Sequence, residues 1–215
     1  MMVDLDLRRG WVAEALREEF PELGIFHATV TARSGRSPKP VKERLKQMSD
    51  RFTGPKAVQM RQQPVPWAYR VFFRQIGIDP DDQRPPAEAV AVERMRAGAF
   101  HSRNLLDDAL LIATVETGVP VLAFDADRVE DSIGLRLADE GERLGHDGRA
   151  VRAGQILVAD ELRPLAVLFG DMAPGRGCGP DTARMVLATV RVKGVPDVSV
   201  EEALWTVAEI LTSAE

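Results

Sequence analysis

The sequence predicts an α+β protein, and three observations carry that prediction. Apolar residues recur at helical spacing up to about Thr117, then at a two-residue period from Val119 onward. Helix-like segments therefore gather in the first half and short β-rich runs in the second, which disfavours a doubly wound sheet of alternating strands and helices. No Pro/Gly/Ser-rich stretch reads as an interdomain linker. A single domain over residues 1–215 is expected, with a β-rich core at about 119–193 and helices packed around it.

Each element has a local reason. Residues 10–20 read as a helix, with Trp11, Ala15, Leu16 and Phe20 at helical spacing and Pro21 ending it. "GIFHATVTAR" alternates Phe26, Ala28, Val30 and Ala32 with Ile25, His27, Thr29 and Thr31, the pattern of a half-buried strand. "SGRSPKP" is loop, and Val41, Leu45 and Met48 mark one face of a basic helix. A helix over about 66–76 follows "QQPVPW" and stops at Gly77; another runs from Pro86 to Ala97 and closes on Gly98. In "RNLLDDALLIATVETGVP", Asn104 is the expected N-cap, Asp107 and Asp108 favour the positive end of the helix dipole, and Gly118 with Pro120 terminates the helix. "VPVLAF", "SIGLRLA", "QILVAD", "PLAVLFG" and "ARMVLATVRV" read as strands. The last segment, "SVEEALWTVAEIL", is a helix with a Ser199/Glu202 capping box and an apolar stripe of Val200, Ala203, Leu204, Val207 and Leu211.

Composition narrows the function classes. The chain is 45% apolar and 28% charged, enough of each for a packed core under a solvated surface. No apolar run is long enough to span a membrane, and "MMVDLDLRRGW" lacks the basic-then-apolar order of a signal peptide. Cys178 is the single cysteine, so no internal disulfide forms and a reducing, cytoplasmic location is expected. The net charge of −5 is uneven: residues 33–74 hold eleven Lys/Arg against two acids, a local +9. Such a face suits a polyanion, with Lys39, Lys42, Arg44, Lys46, Arg70 and Arg74 as candidate RNA contacts; it equally suits a solvated basic helix.

Candidate chemistry is sparse. His27, His101 and His146 show no ligand spacing, and one Cys builds no zinc site, so neither metal nor cofactor is expected. "GDMAPGRGCGPDT" could present backbone amides to an anion, with Arg176 adding charge, or serve as a flexible turn. Cys178 could act as a nucleophile, although no neighbouring sequence feature supplies its base. Trp67 and Tyr69 could stack on bases beside Arg70 and Arg74, or form a helix core. Glu140 and Glu142 could pair as acid and base.

The stretch "RNLLDDALLIATVETGVPVLAFDADRVEDSIGLRLADEGERLGHDG" resembles the B3/B4 domain of the phenylalanyl-tRNA synthetase β-subunit. The resemblance rests on Asn104, Asp107, Gly118, Pro120, Ala123, Phe124, Asp125, Arg136, Gly141 and Glu142, on the later "LVAD", "PLAVLFGD" and Asp181-Thr182, and on "PWAYRVFFRQIGIDPDDQRPPAEA" upstream, which resembles free-standing members. It covers roughly residues 60–193. The resemblance implies an editing pocket that hydrolyses tyrosine mis-attached to tRNA, here as a free-standing domain without an aminoacylation module. It assigns substrate-binding roles to Asn104, Asp107, Phe124, Asp125, Gly170, Arg176, Gly179 and Thr182, in a cleft between the Asn104 helix end, the Phe124-Asp125 strand end and the Gly170–Thr182 loop, and it makes Glu142 structural. Three positions depart from the family pattern. Leu122 stands where the family has a pocket His, Leu110 where it has a second Asn, and "VLATV" offers Ala188 and Thr189 where an acid is common. Leu122 and Leu110 cannot orient water or stabilise an oxyanion. The expected partner is tRNA or aminoacyl-tRNA. The alternatives are a non-catalytic module of the same fold binding RNA or a small amino-acid-like ligand, and a Cys178-dependent hydrolase.

Overall fold

The computed structural model describes residues 5–145 and 148–213; His146 lies outside them. The architecture is α+β, with seven α-helices and two four-stranded sheets among the described residues. The first sheet runs in the order β1 (Arg8–Arg9), β3 (Gly24–Thr31), β8 (Arg184–Arg191), β4 (Val121–Asp125), with all neighbours antiparallel. The second runs β2 (Trp11–Val12), β5 (Gly134–Leu137), β6 (Ile156–Ala159), β7 (Pro164–Val167), with β2 parallel to β5 and the rest antiparallel.

The sheets extend beyond the 119–193 segment. β3 is a central strand, paired along its full length from Gly24↔Arg191 to Thr31↔Arg184. Its alternating pattern identifies it as a strand; only long-range pairing decides that it sits beside β8.

Trp11 and Val12 are strand, not the start of a helix. The amide of Trp11 donates to the Ile133 carbonyl and that of Ala13 to Leu135, so α1 begins only at Glu14 and ends at Glu19. Gly10 makes the crossing between sheets: its amide donates to Ile25, and a Cβ there would lie 2.1 Å from the Ile133 carbonyl oxygen. Gly134 leaves room for the Trp11 ring, which a Cβ would approach to 1.9 Å.

The helices follow their sequence signals with local shifts. α2 (Lys39–Arg51) buries Val41, Leu45 and Ser49. A short helix that periodicity misses, α3 (Gly54–Met60), precedes α4 (Pro64–Gln75). α5 (Pro86–Ala97) ends on Gly98 and α6 (Leu105–Thr117) on Gly118, both glycines left-handed at φ +79° and +75°. α7 (Asp197–Thr212) buries the expected apolar stripe. Its Ser199/Glu202 capping box does not form. The N-cap position falls three residues earlier, at Pro196, with Asp197 in the first turn held by Arg191 at 2.6 Å. α7 packs on α6, β3 and β8, and one continuous core joins these layers to the second sheet. Among the described residues, no helix is long and apolar enough to cross a membrane.

Candidate functional site

The N-terminal turn of α6 is built around two carboxylates with different fates. Asn104 Oδ1 accepts from the Asp107 amide at 2.8 Å and from Ser34 Oγ at 3.1 Å, while its Nδ2 donates to Asp107 Oδ2. Asp107 remains exposed. Asp108 is buried and accepts from Ser37 Oγ at 2.5 Å, Ser102 Oγ at 2.6 Å and the Arg103 amide at 2.9 Å. Sequence reasoning named Asp107 and missed Asp108. The available signal was periodicity, since Asp108 shares the inward face with Leu105, Ala109 and Ile112.

At the end of β4, Phe124 is fully buried and bridges to Gly177, and the Asp125 amide donates to the Arg176 carbonyl. The Asp125 carboxylate accepts from Thr182 Oγ1 at 2.9 Å and from the Asp127 amide at 3.1 Å. Thr182 Oγ1 in turn accepts from the Gly179 amide at 2.9 Å. Phe124, Asp125, Arg176, Gly179 and Thr182 thus form one connected cluster. The Ala32 amide donates to Ala183, and the chain continues to Ser34 and its bond with Asn104, so the α6 N-terminus lies at the same end of the first sheet.

Gly170 does not join this cluster. The Gly-rich loop divides: Asp171 to Ala173 bond back to β7 of the second sheet, and only residues from about 176 reach β4. Gly170 instead lines a separate hollow of about 450 Å³ beside Asp171 and Arg149. A larger one, about 660 Å³, opens on the α5 side of the α6 N-terminal turn and includes Asp107. Arg176 Nη1 donates to the Arg128 carbonyl at 2.5 Å. Its guanidinium is therefore partly committed to the turn that follows β4.

The electrostatics narrow the chemistry further. Burial pushes the Cys178 thiol up to about 12, with the Asp125 charge adding to the effect, so the thiolate needed for attack is not formed near neutral pH. The surroundings of Cys178 thus give it no activation as a nucleophile. Glu142 forks onto Arg136 at 2.8 and 2.5 Å, and that guanidinium holds its carboxyl below the usual range. The pair ties β5 to the turn after it, leaving Glu142 no free role as an acid or base.

One imidazole occupies a position that the sequence did not single out. His27, Ala188 and Leu122 pair in one register row across β3, β8 and β4, with Arg8 of β1 opposite His27. Directly paired residues project to the same face, so His27 stands two strands, about 10 Å, from Leu122 with a small Ala between. Burial, and then the Arg8 charge, lower its pKa against the opposing pull of Asp6. This shift favours the neutral ring, the form able to accept a proton.

The six basic candidates separate. Lys39, Lys42 and Lys46 are exposed on α2, with Lys39 in a loose 3.7 Å pair with Glu43. Arg44 forks onto Glu116, joining α2 to α6. Arg74 is exposed and lies 6.0 Å from the Trp67 ring centroid. Arg70 is a correction: it is 1% exposed, held by Glu88 at 2.9 Å and by Asp81, and cannot reach a phosphate. Its aromatic neighbour Tyr69 is also buried and donates to the Val190 carbonyl of β8, which leaves Trp67 as the exposed ring.

A family model described as "B3/4 domain" matches residues 68–195, more than half of the chain. The chain belongs to the B3/4 domain family, and its domain is related to those of tRNA synthetases. It is similar to the phenylalanine–tRNA ligase beta subunit of Pseudomonas putida, at 35% identity over 89 residues, covering 40% of this chain and 11% of that protein. The same subunit from Xanthomonas oryzae pv. oryzae is 36% identical over 94 residues, covering 42% of this chain and 12% of its own length. The chain therefore spans about a tenth of the length of these curated relatives. The family match takes in most of α4 and then α5 through β8, and leaves β3, the strand carrying His27, outside it.

Proposed function

We propose that this domain recognises the aminoacyl end of a tRNA and hydrolyses mischarged aminoacyl-tRNA in trans. The observation that carries the reading is the B3/4 match coinciding with a cluster at one end of the first sheet, where Phe124, Asp125, Gly179 and Thr182 meet. Hydrolysis needs water to attack the ester carbonyl, a base to take its proton, and donors for the developing oxyanion. Leu122 supplies none of these; the ring of His27 is the base on the same face, and the Gly177 and Cys178 amides are the donors left in the 176–179 loop, those of Arg176 and Gly179 being bonded to Ala173 and Thr182. With the ring two strands away from Leu122, modest rates are expected.

A second reading, a binding module without hydrolysis, is favoured by a specific feature. Asp125 and Thr182 already satisfy each other and their local amides, an arrangement that shapes a wall rather than activating water.

The deciding experiment is deacylation of tyrosine-charged phenylalanine tRNA, with correctly charged tRNA as control. Faster release of tyrosine than of phenylalanine, lost in Thr182→Ala and in His27→Ala with the fold intact by circular dichroism, is the expected result. Binding of both charged tRNAs with no release above background would establish the second reading. Neither binding nor release would overturn both.

A further inference from the structure

The 660 Å³ hollow belongs to no element of the proposed deacylation cluster apart from its approach to the α6 turn. It lies between the loop after α4, the outer side of α5 and the first turns of α6. α5 is apolar on two sides: Ala87 and Ala91 enter the core, while Val90, Val92 and Ala97 face the hollow, where Phe100 and Leu111 complete the wall. Phe100 belongs to the core, edge-on to Phe52, and Val90 and Leu111 pack partly against it, so the wall of the hollow is an open edge of that core.

Around that wall stand Arg84, Arg96 and Arg103, none with a carboxylate within 4.0 Å among the described residues. A fourth arginine, Arg94, donates to the Ser49 carbonyl but keeps a buried Nε with no partner. Carboxylates are present too: Asp82, Glu93 and Asp107 line the same hollow. The mixed lining is unsuited to a bare polyanion. It suits a ligand that combines an anionic group, hydroxyl or amino donors, and a flat apolar body. The volume falls within the roughly 300–1,000 Å³ of small-ligand clefts, with room for a ring system and its sugar.

We propose that this hollow is a nucleotide-binding site, taking the base against Val90, Phe100 and Leu111, the phosphate on the guanidiniums of Arg84, Arg96 and Arg103, and the ribose hydroxyls on Glu93 or Asp107. Guanidinium forks match phosphate oxygens in geometry as well as charge, and carboxylates accept from ribose hydroxyls. The same chemistry is offered by a free nucleoside monophosphate and by a terminal nucleotide of an RNA. The site does not depend on the deacylation reading, since its residues are not those of the Asp125–Thr182 cluster.

The test is calorimetric titration of the protein with AMP, adenosine, inorganic phosphate and a short single-stranded RNA. AMP should bind at least about tenfold more tightly than either adenosine or phosphate, because both halves of the site are then used. Arg96→Glu with Arg103→Glu, both exposed and free of structural bonds, should weaken AMP by tenfold or more. Ala97→Trp, which fills the hollow, should weaken AMP and adenosine alike, with unchanged melting temperature as the control for folding. Competition between the RNA and AMP would identify the source as an RNA terminus; AMP binding without RNA binding would identify a free nucleotide. AMP binding that is absent, or unchanged in both variants, overturns the proposal whatever the outcome of the deacylation assay.

Discussion

His27 illustrates how much a single side chain inherits from its row. On β3 it is one more alternating residue, but across the sheet it faces Arg8 on one side and Ala188 and Leu122 on the other. Its pKa lies below the usual 6.5, mainly through burial, so the unfolded chain binds more protons than the folded one as pH falls through that value. The contribution of His27 to stability is accordingly level above about pH 6.5 and falls as pH drops toward the folded-state pKa. Urea midpoints of the wild type and His27→Gln, compared at about pH 7.5 and about pH 5.5, should show a smaller acid loss in the variant. Equal losses in the two proteins would mean that the ring is not desolvated in the fold.

At the scale of elements, the junction between β1 and β2 is the least tolerant place. The two short strands belong to different sheets, and they are joined through Gly10 and seated through Trp11 on Gly134. Filling Gly134 forces the Trp11 ring to move, and overpacking of this kind costs about 1–3 kcal/mol. Gly134→Ala should therefore lower the melting temperature clearly. Combining it with Trp11→Leu should cost less than the sum of the single changes, because the clash is between these two positions. Strict additivity in a double-mutant cycle would show that the glycine is needed for some other reason. α6 behaves differently: its cap, dipole charges and glycine stop are all local, and the structure reproduces each of them.

Across the whole molecule, the basic segment is a smaller face than its count of charges suggests. Arg44 and Arg70 are taken up by Glu116, Glu88 and Asp81, which lie far along the chain or in the next helix. Of the six candidates, Lys42 and Lys46 on α2, the loosely paired Lys39, and Arg74 beside the exposed Trp67 on α4 remain for a polyanion; Arg33, Arg36, Arg51 and Lys56 of the same segment are exposed as well. If this face binds RNA, Lys42→Glu with Lys46→Glu should weaken binding, and the slope of log affinity against log salt should become shallower by about one to two units. Filter binding across a salt series measures both. An unchanged slope would make α2 a solvated helix face.

The local sequence was sufficient wherever the physics is local. The α+β class, the α5 and α6 boundaries at Gly98 and Gly118, the Asn104 cap and the alternation of β3 all follow from periodicity, capping and the conformational freedom of glycine, which act within a few residues. The resemblance in residues 103–148 was legible for the same reason, being a matter of order and spacing along the chain. Tertiary structure decided what depends on distant partners: that β3 lies beside β8, that Trp11 and Val12 are strand because Ile133 and Leu135 offer carbonyls to the amides of Trp11 and Ala13, and that Arg70 is buried because Glu88 and Asp81 close over it. It also decided that Asp108 rather than Asp107 is the enclosed carboxylate, and that Gly170 parts from Thr182 because one half of their loop bonds to the second sheet and the other half to the first. A carboxylate or guanidinium reads the same in sequence whether exposed or enclosed; which of the two it becomes depends on groups that only the fold brings within hydrogen-bonding distance.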